Sequence, residues 1–284
     1  MATPAAAPPA DVVAGDVARA LAEDLGSGDA TAQLLPDDQD QAYVIAKEAG
    51  VIAGRPWFDA CFLALDPAMH IEWRVAEGQA VAAGTVLVVL RGRSRALVSA
   101  ERPALNFLQT LSATATRTAE YVAALAGSRT RVLDTRKTLP GLRLAQKYAV
   151  RAGGGLNHRM GLYDAVMLKE NHIHAAGSIT AAVAAARSLH PALPLIVEVE
   201  TLDELDQALA AGCDRILVDE FSEDDLREAV RRAAGRIPLE VSGSVTLERL
   251  PAIAATGVDY VSIGALTKHV QALDLSLRLG DPPA

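Results

Sequence analysis

The sequence predicts an α/β protein in which an N-terminal α+β sandwich-like domain precedes a six-stranded, incomplete parallel β/α barrel. Two observations lead to this fold class. In the second half of the chain short apolar runs alternate with amphipathic stretches, whereas strand-like runs interrupted by glycines fill much of the first half. We expect a disordered tail over residues 1–10, the α+β domain over 11–112 and the barrel over 113–284, with a C-terminal helix that packs back on the N-terminal domain.

The composition is that of a globular protein and excludes several functional classes. Hydrophobic residues make up 50% and charged residues 22% of the 284 positions. A net charge of −8 argues against a protein that coats nucleic acid or an anionic membrane, and no stretch approaches the roughly 20 apolar residues of a membrane span. Two cysteines cannot build a disulfide scaffold or a four-cysteine zinc site. The first residues lack a signal-peptide pattern, so we expect a cytoplasmic protein.

The N-terminal domain is expected to begin with a helix over 11–22. Strand-like runs follow at 42–48, 70–75 and 85–91. A long helical stretch over 100–126 leads to the barrel, and it places Pro103 in the first turn, where a proline is tolerated.

Six strand and helix pairs make up the predicted barrel. The strands are expected at 131–134, 164–169, 194–199, 215–219, 239–242 and 260–263. The helices are expected at 139–151, 178–189, 202–211, 223–234, 247–255 and 266–279. Near-continuous apolar strands that alternate with helices are typical of a parallel sheet covered on both faces.

Helix-capping residues mark several of these boundaries. Thr201 and Ser222 each precede a run of acidic residues, as an N-cap does, and Gly212 and Gly257 follow the last apolar residue of their helices. These positions support the predicted alternation of strands and helices.

A basic segment interrupts this acidic protein. Nine lysines and arginines but only three acids lie between Arg129 and His172. Arg143, Lys147 and Arg151 follow a helical spacing that is typical of a solvated face. Other cations, including Arg136 and Lys169, lie beside strand ends or glycine clusters. This segment therefore predicts an anion site.

Polar and small residues follow the predicted strands at their carboxyl ends, where barrel enzymes carry their catalytic groups. In chain order these are Arg136 with Lys137, Lys169, Glu198, Asp219, Ser242-Gly243-Ser244 and Gly264-Ala265. Cations bind phosphate and carboxylate, acids bind sugar hydroxyls or Mg²⁺, and Ser/Gly backbone N–H groups can cradle a phosphate. The set indicates an anionic phosphosugar in the mouth of the barrel.

Several ordered motifs resemble the quinolinate phosphoribosyltransferase family, the decarboxylating nicotinate-nucleotide pyrophosphorylases. The motifs are Glu23-Asp24-Leu25-Gly26-Ser27-Gly28-Asp29, Glu101-Arg102-Pro103-Ala104-Leu105-Asn106, Asp134-Thr135-Arg136-Lys137-Thr138-Leu139-Pro140-Gly141, Arg151-Ala152-Gly153-Gly154-Gly155-Leu156-Asn157-His158-Arg159, Leu168-Lys169-Glu170-Asn171-His172, Val197-Glu198-Val199-Glu200 and Leu217-Val218-Asp219. The resemblance covers nearly the whole chain and implies transfer of phosphoribosyl from phosphoribosyl pyrophosphate to quinolinate, with loss of CO₂ and with Mg²⁺ as cofactor.

The resemblance also implies the roles of individual residues. The quinolinate pocket corresponds to Arg102, Arg136, His158, Arg159 and Lys169, with Thr135 also binding substrate. The catalytic set comprises Lys137, Lys169, Glu198 and Asp219, of which Glu198 and Asp219 supply the Mg²⁺ environment, mostly through substrate and water. The 5′-phosphate cradle corresponds to Ser242, Gly243, Ser244, Gly264 and Ala265. Ser244 replaces a glycine that is common in the family, and we expect phosphate binding to survive provided that φ of Ser244 is negative.

Members of this family form dimers in which the residue matching Arg102 reaches the neighbouring active site, so the resemblance implies a homodimer or dimer-based oligomer. Three alternatives remain. The first is a paralogue of the molybdenum-transport accessory type that acts on another substrate, against which Arg102, His158 and Arg159 argue. The others are a barrel lyase with Lys137 or Lys169 as a Schiff-base amine, and a dimeric scaffold without activity.

Overall fold

The computed structural model describes residues 7–283, which fall into two compact units. Unit 1 comprises the residues up to Ala119, Leu139–Gly154 and the residues from Leu266 onward, and unit 2 comprises Glu120–Thr138 and Gly155–Ala265. This division differs from the predicted boundary at residue 112, because Leu139–Gly154 and the C-terminal segment group with unit 1. Most of the predicted N-terminal tail lies outside the described residues.

Unit 1 contains a four-stranded antiparallel sheet with strand order β12-β1-β5-β3 and a two-stranded sheet of β2 and β4. Its elements are α1 (Ala10–Leu25), a 3₁₀ helix (Ala32–Leu34), β1 (Gln39–Ala46), β2 (Gly50–Val51), α2 (Arg55–Leu65), β3 (His70–Trp73), β4 (Ala80–Val81), β5 (Val86–Arg93), α3 (Ser94–Ala124), α4 (Arg143–Ala152) and β12 (Leu275–Leu279). The opening helix and the three long strands of the predicted α+β domain are confirmed. Aromatic residues of α2, among them Trp57, Phe58 and Phe62, form part of a continuous buried core.

Helix α3 corrects the predicted position of Pro103. The helix begins at Ser94 rather than at residue 100, so Pro103 lies in its interior and not in its first turn. The helix starts directly after β5 without a connecting loop. An interior proline has no N–H group, so the carbonyl of Ser99 has no main-chain donor at the position four residues along.

The C-terminal prediction was wrong. In place of a helix over 266–279, the chain forms only a short helix, α10 (Ala265–Lys268), followed by strand β12. Strand β12 pairs antiparallel with β1, with Leu277 opposite Val44 and Leu275 opposite Ala46. The leucines alternate with polar residues, and this period of two lets Leu273 and Leu275 join the core of unit 1.

Unit 2 confirms the predicted six-stranded parallel sheet, whose strand order is β6-β11-β10-β9-β8-β7. Its elements are β6 (Arg131–Leu133), β7 (Val166–Leu168), α5 (Glu170–Ala176), α6 (Ile179–Leu189), β8 (Leu195–Val199), α7 (Leu202–Ala211), β9 (Arg215–Asp219), α8 (Glu223–Ala233), β10 (Leu239–Ser242), α9 (Leu250–Ala255) and β11 (Tyr260–Ser262). Strands β6 and β7 form the two edges, and Leu156 makes a parallel bridge to Leu133 of β6 before the chain enters β7. The segment between Leu156 and β7 therefore runs from one edge strand to the other.

Alternation along the central strands separates a packing face from a polar face. Val197, Val199 and Val218 are fully buried on one face, while Glu198 and Asp219 are directed to the other. In a β/α barrel the first face packs against the helices and the second lines the interior. The fold therefore brings the polar residues of neighbouring strands together.

The predicted caps are present. The side chain of Thr201 accepts a hydrogen bond from the N–H of Glu204, and that of Ser222 accepts one from the N–H of Asp225. Gly212 ends α7 in the left-handed conformation that glycine favours at this position. Among the described residues, no helix is both long and apolar enough to cross a bilayer.

Candidate active site

All six parallel strands of unit 2 carry predicted site residues at or close to their carboxyl ends. Thr135, Arg136 and Lys137 follow β6, Lys169 follows β7, Glu198 and Asp219 lie near the ends of β8 and β9, Ser242 ends β10, and Gly264 follows β11. Because these strands are parallel neighbours, their carboxyl ends share one edge of the sheet. This arrangement collects cations, carboxylates and small residues on one side of unit 2.

Hydrogen bonds to Asp134 fix the start of the segment that follows β6. Asp134 is fully buried, and its carboxylate accepts hydrogen bonds from the backbone N–H of His158 at 2.8 Å and from the side-chain amide of Asn157 at 2.6 Å. Thr135 Oγ1 accepts a hydrogen bond from the N–H of Lys137. Asp134 therefore ties the loop that carries His158 to the segment that carries Arg136 and Lys137.

Gly264 brings the ends of β6 and β11 into contact. A Cβ atom at this position would lie 2.9 Å from Cδ of Lys137 and 3.5 Å from Oγ1 of Thr135. A side chain at residue 264 would therefore displace Lys137. Glycine here leaves the backbone accessible next to a cation, as a phosphate cradle requires.

Lys169 and Glu198 form an ion pair across the neighbouring strands β7 and β8. The backbone N–H of Lys169 donates to Nδ1 of His172, one turn further along. The imidazole therefore fixes the start of α5 and the direction in which Lys169 leaves the sheet.

Glu198 and Asp219 lie on adjacent strands and the same face. The register pairs Glu198 with Leu217, two residues before Asp219. Mg²⁺ is usually bound by one or two carboxylates together with substrate phosphates and waters, and these two carboxylates form a donor set of that kind. No group of three or more His, Cys, Asp or Glu side chains suited to a metal ion occurs within residues 7–283.

The loop between Leu156 and β7 carries His158 and Arg159. Asp164 closes the loop by accepting hydrogen bonds from the N–H groups of Met160 and Gly161. The guanidinium of Arg159 makes two long contacts, 3.4 Å to the carbonyl of Ala165 and 3.5 Å to the sulfur of Met167. Most of its five N–H donors therefore remain available to an anion.

Arg136 and Arg159 form a concentrated positive region. Burial, followed by the charge of Arg136, lowers the pKa of the Arg159 guanidinium, and neighbouring carboxylates offset this effect only in part. Arginine nevertheless stays protonated at neutral pH. Two cations that repel each other are stabilised by an anion bound between them, and a guanidinium fork matches a carboxylate.

The predicted phosphate cradle differs from expectation at Ser244. Its φ is 33°, so the condition of a negative φ is not met. Ser244 Oγ donates to Oε1 of Glu220 at 2.9 Å, and Arg249 donates to the carbonyl of Ser244. The preceding Gly243 also has a positive φ, and a Cβ there would lie 2.5 Å from Cδ of Glu220. The side chain of Glu220 therefore occupies the space that a side chain at residue 243 would need.

Arg102 lies in unit 1, on helix α3, and is not among the residues that unit 2 brings together. Its side chain is 59% exposed, and its guanidinium lies 3.9 Å from the carboxylate of Glu101. At this distance the ion pair is weak, so the charge remains available at the protein surface.

Three charged residues of unit 2 that contact predicted site residues or their partners were not predicted from the sequence: Arg215, Glu220 and Glu240. Glu240 lies in β10 between two buried apolar residues, where a fully buried acid is unusual. An acid between apolar residues of a predicted strand was therefore the sequence feature that could have identified Glu240. Its partners depend on the strand register, which the residue pattern does not specify.

Comparison with known protein families divides the chain in two. The family model "Quinolinate phosphoribosyl transferase, N-terminal domain" matches residues 29–112, and the model "Quinolinate phosphoribosyl transferase, C-terminal domain" matches residues 114–278. Together they cover far more than half of the chain.

Curated relatives and solved structures agree with these matches. A probable nicotinate-nucleotide pyrophosphorylase (carboxylating) of Synechocystis is 48% identical over 91% of this chain and 90% of its own length. The nicotinate-nucleotide pyrophosphorylase (carboxylating) of Mycobacterium leprae is 41% identical over 95% of this chain and 98% of its own. A solved structure of the nicotinate-nucleotide pyrophosphorylase from Francisella tularensis superposes with a TM-score of 0.95 at 45% identity, covering 99% of this chain and 100% of that one.

Proposed function

This chain belongs to the quinolinate phosphoribosyltransferase family, and we propose on that basis that it converts quinolinate and phosphoribosyl pyrophosphate to nicotinate mononucleotide, pyrophosphate and CO₂, a step of NAD biosynthesis. The observation that supports the proposal most directly is the set of strand ends in unit 2. Cations follow β6 and β7, carboxylates lie near the ends of β8 and β9, and small residues lie at or after the ends of β10 and β11.

Quinolinate carries two adjacent carboxylates, and the cations of the site suit them. The charges of Arg136 and Arg159 repel each other, so a bound dianion relieves that repulsion. Each charge-assisted hydrogen bond contributes about 1.5–3 kcal/mol. Discrimination against nicotinate, which has one carboxylate, must then come from the groups that contact the second carboxylate.

The ribosyl transfer requires no nucleophilic side chain. The lone pair of the pyridine nitrogen forms the bond to C1 of the ribose while the bond from C1 to the pyrophosphate oxygen breaks, and pyrophosphate leaves with that electron pair. We assign Lys137 and Lys169 to the leaving pyrophosphate and neighbouring carboxylates, and the Ser242–Ser244 turn and Gly264-Ala265 to the 5′-phosphate. Positioning and electrostatic stabilisation supply the rate in such a displacement.

Decarboxylation accompanies the ribosyl transfer. The 2-carboxylate leaves as CO₂, and its bonding electron pair stays on carbon 2, which then takes up a proton. The quaternised ring nitrogen stabilises that negative charge. The cations at Arg136 and Arg159 bind the substrate dianion, so the energy of binding the remaining carboxylate helps to position the one that is lost.

Glu198 and Asp219 would hold Mg²⁺, mostly through substrate oxygens and water. The ion would neutralise the pyrophosphate as it leaves. The ion pair with Lys169 keeps Glu198 in place beside that position. Glu198 and Asp219 are also suited to accept hydrogen bonds from ribose hydroxyls.

We further propose a cytoplasmic homodimer, or an oligomer built from dimers, in which Arg102 of one subunit enters the site of the other. Exposure of Arg102 on α3, without a close partner, supports this role. The paralogue alternative of the molybdenum-transport accessory type is not favoured, because relatives at 41–48% identity over most of the chain are pyrophosphorylases.

A turnover assay with matched lysine variants tests the proposal. Purified protein with phosphoribosyl pyrophosphate, Mg²⁺ and quinolinate should form the mononucleotide. Lys169→Met should lower kcat/KM by roughly 10- to 100-fold, since it removes one charge-assisted contact. Lys47→Met, at an exposed position in unit 1, should leave it unchanged. A folded wild-type protein without turnover would contradict the proposal.

A further inference from the structure

A row of three ionisable side chains, Arg215, Glu240 and His158, has no part in the mechanism above; Glu240 and His158 are buried, and Arg215 at the start of β9 is partly exposed. Glu240 is fully buried in β10, between β9 and β11. One of its oxygens accepts a hydrogen bond from Nη1 of Arg215 at 3.0 Å, and the other lies 3.3 Å from Nε2 of His158. A buried carboxylate is costly unless it is paired, so this arrangement calls for an explanation.

The other edge of the His158 ring is also engaged. Its Nδ1 accepts a hydrogen bond from the backbone N–H of Arg159 at 2.7 Å. An accepting ring nitrogen carries no proton, so the proton lies on Nε2, which is 3.3 Å from Oε1 of Glu240. The backbone N–H of His158 itself donates to Asp134. Contacts within unit 2 thus fix both the tautomer and the orientation of the ring.

His158 and Arg215 both line a cavity of about 240 Å³. Arg215 is held in turn, because its guanidinium lies 4.6 Å from the centre of the Tyr260 ring. Glu240 is therefore held by Arg215 at a fixed distance from His158.

These contacts end at a residue that we assign to substrate binding. The chain of interactions runs from Arg215 through Glu240 and His158 to the backbone of Arg159. The guanidinium of Arg159 has only long contacts within the protein. Its direction therefore depends on its own backbone, which His158 holds.

We propose that Glu240 is a positioning residue: it fixes His158 in the Nε2–H form, and His158 in turn holds the backbone of Arg159 so that its guanidinium is aimed at a carboxylate of the pyridine dicarboxylate. This inference rests on the proposed function. It adds a positioning role to the place of His158 in the pocket, and it assigns a role to Glu240.

Steady-state kinetics of Glu240→Gln test the inference. The variant keeps the size of the side chain and an oxygen acceptor but removes the charge that pairs with Arg215. Misaiming a guanidinium costs up to about 100-fold, so KM for quinolinate should rise by roughly 10- to 100-fold. KM for phosphoribosyl pyrophosphate should change by less than about threefold, as should kcat. Equal loss for both substrates would overturn the positioning role, and the surface variant Glu228→Gln should show neither effect.

A double-mutant cycle tests whether Glu240 acts through His158. In His158→Asn the amide oxygen can replace Nδ1 as acceptor for the N–H of Arg159, whereas the donor to Glu240 is lost. If the two residues act as a unit, the double variant should be no worse than the poorer single variant in kcat/KM for quinolinate. Losses that multiply would overturn the proposed coupling.

An NMR measurement on the wild-type protein needs neither activity nor a stable variant. With ¹⁵N-labelled histidine at pH 7, His158 should show a protonated Nε2 and an unprotonated Nδ1 that accepts a hydrogen bond. A doubly protonated ring would overturn the inference. Absence of turnover with quinolinate would instead overturn the proposed function and leave the tautomer result standing, so the two failures are distinguishable.

Discussion

At the scale of single residues, Ser244 has a positive φ, which is the strained conformation that the replacement of a glycine by serine at this position made a concern. A left-handed φ costs a residue with a Cβ about 1–2 kcal/mol relative to its ordinary conformations. Here the hydrogen bond to Glu220 and the one from Arg249 hold the residue in place. The strain therefore lies in the turn to which we assign the 5′-phosphate.

Paired substitutions at residue 244 separate strain from hydrogen bonding. Ser244→Ala and Ser244→Gly both lose the hydroxyl, but only glycine relieves the left-handed φ of 33°. We expect the glycine variant to be about 1 kcal/mol more stable than the alanine variant in urea unfolding. Equal stabilities would show that residue 244 is not strained in solution.

Glu240 gives a pH dependence of stability whose sign follows from its surroundings. Burial by itself would raise its pKa, but the hydrogen-bonding contact with His158 and the hydrogen bond and charge of Arg215 outweigh burial, so the pKa lies below the ordinary 4.5. A depressed carboxylate pKa contributes stability that is fully present above pH 4.5 and is lost as the pH falls through the lowered value. The advantage of wild type over Glu240→Gln in free energy of unfolding should therefore shrink on acidification.

Glu77 provides a control of opposite sign. Burial raises its pKa despite hydrogen bonds from the N–H groups of Gly54 and Arg55. A raised carboxylate pKa costs stability at neutral pH, and this cost disappears as the group is protonated. Relative to Glu77→Gln, wild type should therefore gain on acidification. If acidification changed the free energy of unfolding of wild type in the same direction relative to Glu240→Gln and to Glu77→Gln, the opposite pKa shifts of Glu240 and Glu77 would be contradicted.

At the scale of elements, the pattern of residues predicted some parts and not others. The six strands of unit 2 could be located because each is a short apolar run next to polar residues, and the caps Thr201 and Ser222 marked their helices. Strand β12 was missed, although its alternating leucines are a strand signal, because apolar residues over 266–279 also fit a helical spacing. Site residues near strand ends were likewise predictable, whereas Glu240 required the register.

Two leucines of β12 test the corrected C-terminus. Leu275 is 7% exposed and belongs to the core of unit 1, while Leu279 in the same strand is 46% exposed. We expect Leu275→Ala to lower the free energy of unfolding by about 2–3 kcal/mol and Leu279→Ala by less than about 0.5 kcal/mol. A helix in this segment would bury the two side chains to different extents from those seen in β12. Equal losses in free energy of unfolding for the two variants would therefore contradict the strand.

At the scale of the whole molecule, the proposed dimer joins Arg102 of one subunit to the site of the other. Arg102→Ala and Lys169→Met should each impair every site when present alone. When the two impaired proteins are mixed and allowed to exchange subunits, half of the dimers should be mixed, and each should contain one intact site. Activity should then recover to about a quarter of wild type. No recovery, despite subunit exchange shown by mass, would place Arg102 in its own subunit's site or outside any site.

The central claim is that the cations of the site recognise the second carboxylate of quinolinate, which then leaves as CO₂. The most direct measurement supplies phosphoribosyl pyrophosphate and Mg²⁺ with either quinolinate or nicotinate and follows mononucleotide and CO₂ together. We predict equal amounts of mononucleotide and CO₂ from quinolinate and no product from nicotinate. Mononucleotide formed from nicotinate, or from quinolinate without CO₂, would contradict this account.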